Sequence, residues 1–280
     1  MGKYVNINGR ILESSKCALS VENRAFRYGD GVFETVRLIN GKPVFMPDHF
    51  TRLTHGLSNL QMLIDPSFSL KNLTLQIKEL SLKNNIAEGG RCRITCFRNP
   101  GGYYSPENLH FSYIIEAIPL EKNVYALNDE GIKLGIYDDV PVTLNKLSAD
   151  KMLNRQIQVL AGIHASKNHF DDCLVLNQKG LIAEAISSNI FLLIDGVLYT
   201  PDIKSGCING VMRKQVISKA KKMNVGVVET SITTKSLEKC AEVFLTNVVS
   251  GISWVGAFDK YRYFHDFSEK LVNEINNSLV

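Results

Sequence analysis

A chain of 280 residues, 45% apolar and 21% charged, has the composition of an ordinary globular protein and the length of two domains of about 150 residues or one large one. No run of about 18 apolar residues offers a membrane span, and the N-terminus lacks the apolar stretch and cleavage site of a secretory signal, so a cytoplasmic protein with no membrane partner is expected. Thirty-two Lys and Arg against 28 Asp and Glu leave +4, too little for a dedicated nucleic-acid binder, and the basic stretch Lys219, Lys221 and Lys222 reads as a solvated helix face.

The N-terminal region reads as hairpins. Apolar runs flank Asn8-Gly9 and again Asn40-Gly41, and Asn-Gly suits a type I′ turn because both central residues need positive φ. Two helical stripes follow, Phe50, Leu53, Leu57 and Leu60, then Leu73, Ile77 and Leu80. Strands are expected over 93–97 and 111–118, with a polar, turn-rich loop between them. Strands, helices and strands in that order suggest an α+β domain over 1–118, a linker at 119–123 and a second domain over 124–280. The second domain should open with a strand over 132–137 and continue into a helix around 152–167. Strands at 173–176, 181–185, 190–194 and 197–200 come next, the last two flanking Asp195-Gly196. A helix over 211–223, strands at 225–230 and 242–246, a short helix near 235–240 and a C-terminal helix from about 267 complete the pattern.

Familiar catalytic signatures are absent: the chain has no GxSxG, HExxH, P-loop or GxGxxG. The six cysteines are scattered, without CxxC or zinc spacing, so no metal site is expected and reduced, partly buried thiols are. His49 and His55 do not have ligand spacing. The best anion site is the stretch Ser205-Gly206-Cys207-Ile208-Asn209-Gly210-Val211-Met212-Arg213. Its glycines permit close backbone approach, and the following helix presents free N–H groups and the positive end of its dipole. An ordinary loop–helix junction capped by Asn209 would read the same way.

Six segments in order carry a resemblance. They are Asn23–Thr35, His49–Leu53, Lys151–Arg155, Gly180–Phe191, Asp195–Pro201 and Asn209–Arg213. Together they resemble the class IV aminotransferases, the pyridoxal-phosphate enzymes of fold type IV, over about residues 4 to 255. That family includes branched-chain aminotransferases, D-amino acid aminotransferases and aminodeoxychorismate lyases. The resemblance implies a two-domain α+β / α/β fold of the D-amino acid aminotransferase type, with pyridoxal 5'-phosphate between the domains, and a homodimer.

The resemblance also implies residue roles. Lys151 would bond the cofactor aldehyde and move protons, and Glu184 would keep the ring nitrogen protonated. Glu184 sits in an apolar run, where an unpaired carboxylate would be costly. Arg52 and the N–H groups of Val211 and Met212 would hold the phosphate, although Arg52 could instead pair with Asp48 on its own helix. Asn189, Arg155 and Val248 complete the cofactor set, and Val248 has no hydroxyl to offer. Tyr28, Phe33 and Arg37 would line the substrate side, with Arg98 as a carboxylate ligand unless it pairs with Glu107 or solvent.

Lys151-x-Leu153-Asn154-Arg155 and Asn209–Arg213 resemble the lyase versions of these motifs. Many branched-chain transaminases have a tyrosine in place of Arg155 and a threonine turn in place of Asn247-Val248-Val249. Against the lyase, the stretch Asn99–Tyr104 lacks a second arginine. The expected activity is formation of 4-aminobenzoate and pyruvate from 4-amino-4-deoxychorismate. The alternatives are a branched-chain or D-amino acid transaminase and, with less support, a cofactor-binding protein without turnover.

Overall fold

The computed structural model describes residues 2–279. The chain divides into two units, one reaching Val124 and adding Asp150–Asn154, the other made of Tyr125–Ala149 and the residues from Arg155 onward. The expected linker at 119–123 therefore lies inside the first unit. The segment carrying Lys151, expected within the second domain, packs with the first.

The first unit holds a six-stranded antiparallel sheet. Its strands are β1 (Tyr4–Ile7), β2 (Arg10–Glu13), β3 (Gly31–Ile39), β4 (Lys42–Pro43), β5 (Gly90–Arg98) and β6 (Phe111–Pro119), in the order β2-β1-β6-β5-β3-β4. Both Asn-Gly pairs have positive φ at each residue, as the type I′ turn requires. A short helix, α1 (Arg24–Tyr28), lies outside the sequence pattern. Its start is capped by the Asn23 side chain, and Gly29 ends it with a φ of 65°, the left-handed position that glycine takes without strain. Helices α2 (Met46–Asn59) and α3 (Leu70–Lys83) lay their predicted stripes on the sheet, α2 against β3 and α3 against β1 and β6. Leu53, Leu57, Leu73, Ile77 and Leu80 are buried there, and each contributes about 1.5–3 kcal/mol of apolar burial.

Side chains alternate across a strand, so β3 and β5 have two distinct faces. Val32, Glu34, Val36, Cys92, Ile94 and Cys96 point to the helices and are buried. Phe33, Thr35, Arg37, Arg91, Arg93 and Thr95 share the opposite face.

The second unit holds a nine-stranded sheet of β7 (Ile132–Val142), β8 (Asp172–Asn177), β9 (Ile182–Ala185), β10 (Asn189–Ile194), β11 (Val197–Pro201), β12 (Val227–Thr230), β13 (Glu242–Asn247), β14 (Gly251–Phe258) and β15 (Tyr261–Arg262). Pairings of β7 with β8 and β14, and of β11 with β12, are parallel. The others are antiparallel. Helix α4 (Gln156–Lys167) packs on β7 and β8, while α5 (Val211–Lys222) and α6 (Asp266–Asn277) pack on each other and on β13. Phe191 and Phe244 stack at 5.3 Å in the core.

Strand β14 adds to the strands that the sequence pattern marks. Gly251 and Gly256 are steric requirements in it: a Cβ on Gly256 would lie 2.9 Å from Gly131 Cα, and one on Gly251 2.6 Å from the Tyr125 ring. No helix among the described residues is long and apolar enough to cross a membrane.

Candidate active site

The helix expected around 152–167 begins only at Gln156. Residues 151–153 are not helical: the free edge of β3 claims their backbone, and Met152 N closes a tight turn over Lys151 by donating to the Asp150 carbonyl at 3.1 Å. Phe33 N donates to the Lys151 carbonyl at 2.9 Å and Leu153 N to the Gly31 carbonyl at 3.0 Å, with Val32 and Met152 paired antiparallel. Lys151 thus sits beside the edge of β3 and not at a helix start. Its Nζ lies 4.6 Å from the centroid of the Phe33 ring, a cation–π distance.

Arg93 reaches the same ring. Its Cζ is 3.9 Å from the centroid, and its Nε donates to Thr95 Oγ1 at 3.2 Å. Sequence reasoning missed Arg93. The signal was present in the alternation Arg91-Cys92-Arg93-Ile94-Thr95, but its significance depends on the register that sets Arg93 opposite Thr35, one pleat from Phe33.

On the helix side of β3, Glu34 is fully buried. Its Oε1 accepts from Arg52 Nε at 2.6 Å, its Oε2 accepts from Arg52 Nη2 at 2.7 Å, and His49 Nδ1 lies 2.7 Å from Oε2. Burial alone would raise the Glu34 pKa, but Arg52 and His49 outweigh it and hold the carboxyl at about 2. One edge of the Arg52 guanidinium, Nε with Nη2, is therefore fixed by Glu34, which orients the side chain. Sequence reasoning assigned Arg52 and missed Glu34, although both lie in the segments that carry the resemblance.

The remaining first-unit candidates differ in what their side chains have left to offer. Tyr28 ends α1 and is half-exposed, with the Arg24 guanidinium 5.0 Å from its ring and the Tyr104 ring 5.5 Å away. Arg37 is buried and donates to the carbonyls of Lys122 and Val124. Arg98 is buried as well: its Nε donates to Asp30 Oδ2 at 2.8 Å and its Nη2 to the Leu60 carbonyl at 2.6 Å. Asp30 is shared with Arg24, whose Nη1 also donates to the carbonyls of Gly101, Gly102 and Tyr103. The expected partners of Arg98, Glu107 or solvent, are replaced by Asp30. This arginine braces the start of the 99–110 loop.

In the second unit Glu184 lies on the fully buried strand β9. Its Oε2 accepts from the Ile208 N–H at 2.9 Å, its Oε1 accepts from Gln158 Nε2 at 3.2 Å, and Arg155 Nη1 approaches Oε1 at 3.8 Å. A buried carboxyl group is costly without partners, and these contacts supply them while leaving acceptor capacity on its oxygens for a further N–H donor. Asn189 Nδ2 donates to the Ile208 carbonyl at 2.8 Å, so Glu184 and Asn189 grip both sides of one residue just before α5.

The start of α5 has no side-chain cap, and Val211 and Met212, the first two helical residues, are buried. A Cβ on Gly210 would overlap Asn189 Oδ1, so glycine is required here by packing. Across the β10–β13 pairing from Asn189 sits Thr246, whose buried Oγ1 has no hydrogen-bond partner among the described residues. An uncapped helix start beside an orphaned hydroxyl is a donor set that fits a phosphate group. Val248 is buried, and its carbonyl accepts from Tyr125 OH at 2.9 Å. Asn247 Oδ1 holds the turn by accepting from the N–H groups of Val249 and Ser250.

Nearby Cys207 is no nucleophile: burial pushes its thiol up to about 12. Among the described residues no group of three or more His, Cys, Asp or Glu is placed to hold a metal ion.

Known proteins share this arrangement of the chain. A D-alanine aminotransferase of Bacillus licheniformis is 28% identical over 262 residues, covering 91% of this chain and 88% of its own. An aminodeoxychorismate lyase of Bacillus subtilis is 28% identical over 256 residues, covering 88% and 83%. The branched-chain aminotransferase of the thermophilic archaeon Thermoproteus uzoniensis, solved with norvaline, superposes with a TM-score of 0.87 at 23% identity over 98% of this chain and 93% of its own. The fold is that of the type IV pyridoxal-phosphate enzymes. The sequence profile of the family described as amino-transferase class IV matches residues 31–258, which establishes that the chain is an enzyme of the class IV aminotransferase family.

Proposed function

We propose that the protein uses pyridoxal 5'-phosphate and acts as a 4-amino-4-deoxychorismate lyase, releasing 4-aminobenzoate and pyruvate. Lys151 would bond the cofactor, Glu184 would hold the proton on its ring nitrogen, and Arg52 with the Val211 and Met212 N–H groups would hold its phosphate. When bound, the cofactor supplies an electron sink for the carbon that bears the substrate amine.

The chain's own part is proton transfer and binding. Lys151 Nζ removes the proton from that carbon. The bond from the ring to the enolpyruvyl oxygen then breaks, the ring becomes aromatic, and the departing enolpyruvate takes up a proton to give pyruvate. Arg93, beside Lys151 on the Phe33 ring, is the cation best placed to receive a substrate carboxylate. Arg37 and Arg98 are less suited, since both are engaged by protein oxygens.

The observation that carries the lyase reading is Arg155. It stands where many branched-chain transaminases place a tyrosine, and it brings a cation within 3.8 Å of Glu184. The second reading is a transaminase of branched-chain or D-amino acids. It is supported by the D-alanine aminotransferase likeness and by the engagement of Arg37 and Arg98, which leaves Arg93 as the main clamp for a single carboxylate. Product analysis separates the two. Pyruvate formed from aminodeoxychorismate with no added keto acid supports the lyase; brisk transfer from isoleucine or D-alanine to a keto acid, with no pyruvate from aminodeoxychorismate, replaces it. A homodimer and a cytoplasmic location belong to the same reading.

A further inference from the structure

Lys151 is preceded by a buried carboxylate that none of the roles above uses. Asp150 is 2% exposed. Its Oδ1 lies 2.8 Å from His55 Nδ1, and its Oδ2 accepts from Asn59 Nδ2 at 2.7 Å. Both partners are on α2, one turn apart, and His55 is itself mostly exposed, its side chain at 64%. Between them Gly56 lets the helix come close: a Cβ there would stand 3.0 Å from Val32 Cγ1 and 3.7 Å from Asp150 Cβ.

We propose that Asp150, held by His55 and Asn59, is a positioning residue that aims Lys151 at the Phe33 side of the sheet. His55 and Asn59 hold Asp150 against α2, whereas Lys151 Nζ reaches the ring of Phe33, which lies on the face of β3 turned away from the helices. One side of the segment is fixed by the backbone bonds to Gly31 and Phe33. Those bonds alone would tolerate a slip or a twist at the edge of β3, where no neighbouring strand enforces register. A carboxylate buried without partners is costly, so Asp150 has one low-energy place, between His55 and Asn59. That place sets the pitch of the backbone from which the flexible lysine stem departs.

The proposal rests on the reading of Lys151 as the cofactor-bonding residue, and the test keeps the two apart. Pyridoxal 5'-phosphate needs the lysine amine for capture; pyridoxamine 5'-phosphate has no aldehyde and does not. The full chain, freed of cofactor, is mixed with each, and the borohydride-stabilised adduct is mapped by mass spectrometry. In Asp150→Ala, adduct formation at Lys151 should slow about tenfold or more, as expected for a misaimed reactive group, while affinity for pyridoxamine 5'-phosphate stays within about twofold of the parent. His55→Ala, at an exposed position, should slow capture less but in the same direction, and Asp150→Asn should recover part of the rate. These two variants decide the matter if Asp150→Ala does not fold. Unchanged capture rates overturn the positioning role. Parallel loss of capture and of pyridoxamine 5'-phosphate affinity overturns it too, by showing general damage. Absence of any Lys151 adduct in the parent sinks the cofactor reading and this proposal with it.

Discussion

Glu34 is the residue on which the most charge chemistry in the first unit converges. Its carboxyl falls from an ordinary 4.5 to about 2 through Arg52 and His49, against the opposing effect of burial. A depressed folded value means that the contribution to stability is complete above 4.5 and is lost as pH falls toward about 2. The shift corresponds to roughly 3 kcal/mol. Urea midpoints measured between about pH 6 and about pH 2 should therefore fall. Glu34→Gln should flatten that dependence while lowering stability at neutral pH, because Arg52 and His49 lose a buried partner. A Glu34→Gln protein with the parent's slope would refute the assignment.

The same scale holds the catalytic prediction. On the proposed roles, Lys151→Ala should lower turnover by several orders of magnitude, since one nitrogen would serve as cofactor attachment and base. Glu184→Gln should retain the cofactor and turn over slowly, as a neutral amide no longer favours a protonated ring nitrogen. Parent-like turnover in Glu184→Gln would remove that role.

Among the elements, the start of α5 is the most exacting. Gly210, Asn189, Ile208 and Glu184 form one chain of contacts, from a helix end through a loop to two strands. Gly210→Ala should push Asn189 off the Ile208 carbonyl and shift the first N–H groups of the helix. Equilibrium dialysis should show a fall in cofactor affinity of about tenfold or more, with a smaller change in thermal stability, because few apolar contacts are lost. Similar affinity in the variant would mean that this helix start does not hold the phosphate.

Strand β3 is exacting in another way. One face feeds Glu34 to α2, the other presents Phe33 to Lys151 and Arg93, and its free edge binds the backbone of 151–153. A one-residue slip of its register would send every one of these groups to the wrong side.

Over the whole molecule, the first unit leaves an aromatic patch uncovered. Tyr103 and Tyr104 are 78% and 90% exposed on the loop whose 101–103 carbonyls Arg24 braces, and the Tyr104 ring lies 5.5 Å from that of Tyr28. Apolar side chains gathered on a braced loop suit a subunit contact. Sedimentation should give a dimer, and the pair Tyr103→Ser and Tyr104→Ser should weaken it. An active monomer at assay concentration would reject the homodimer.

Much of this was legible in the residues alone. Turn chemistry located the hairpins at Asn8-Gly9, Asn40-Gly41 and Asp195-Gly196, and helical spacing located α2 and α3, because φ preference and side-chain periodicity act within a few residues. Family motifs named Lys151, Glu184, Arg52 and the start of α5 as candidates. Their surroundings were decided only by the tertiary structure. Lys151 reads as the head of a helix until the edge of β3, over a hundred residues earlier, claims its backbone. The sequence offers Arg98 and Arg37 as substrate-side cations, and only the tertiary structure shows that Asp30 and the Leu60 carbonyl hold Arg98 and that the Lys122 and Val124 carbonyls hold Arg37, while Arg93 gains its place through strand register. Nothing local marks Asp150 until α2 encloses it. A side chain's type is local, but the partner of a buried charge is chosen by which distant segments pack together, and short-range periodicity carries no record of that choice.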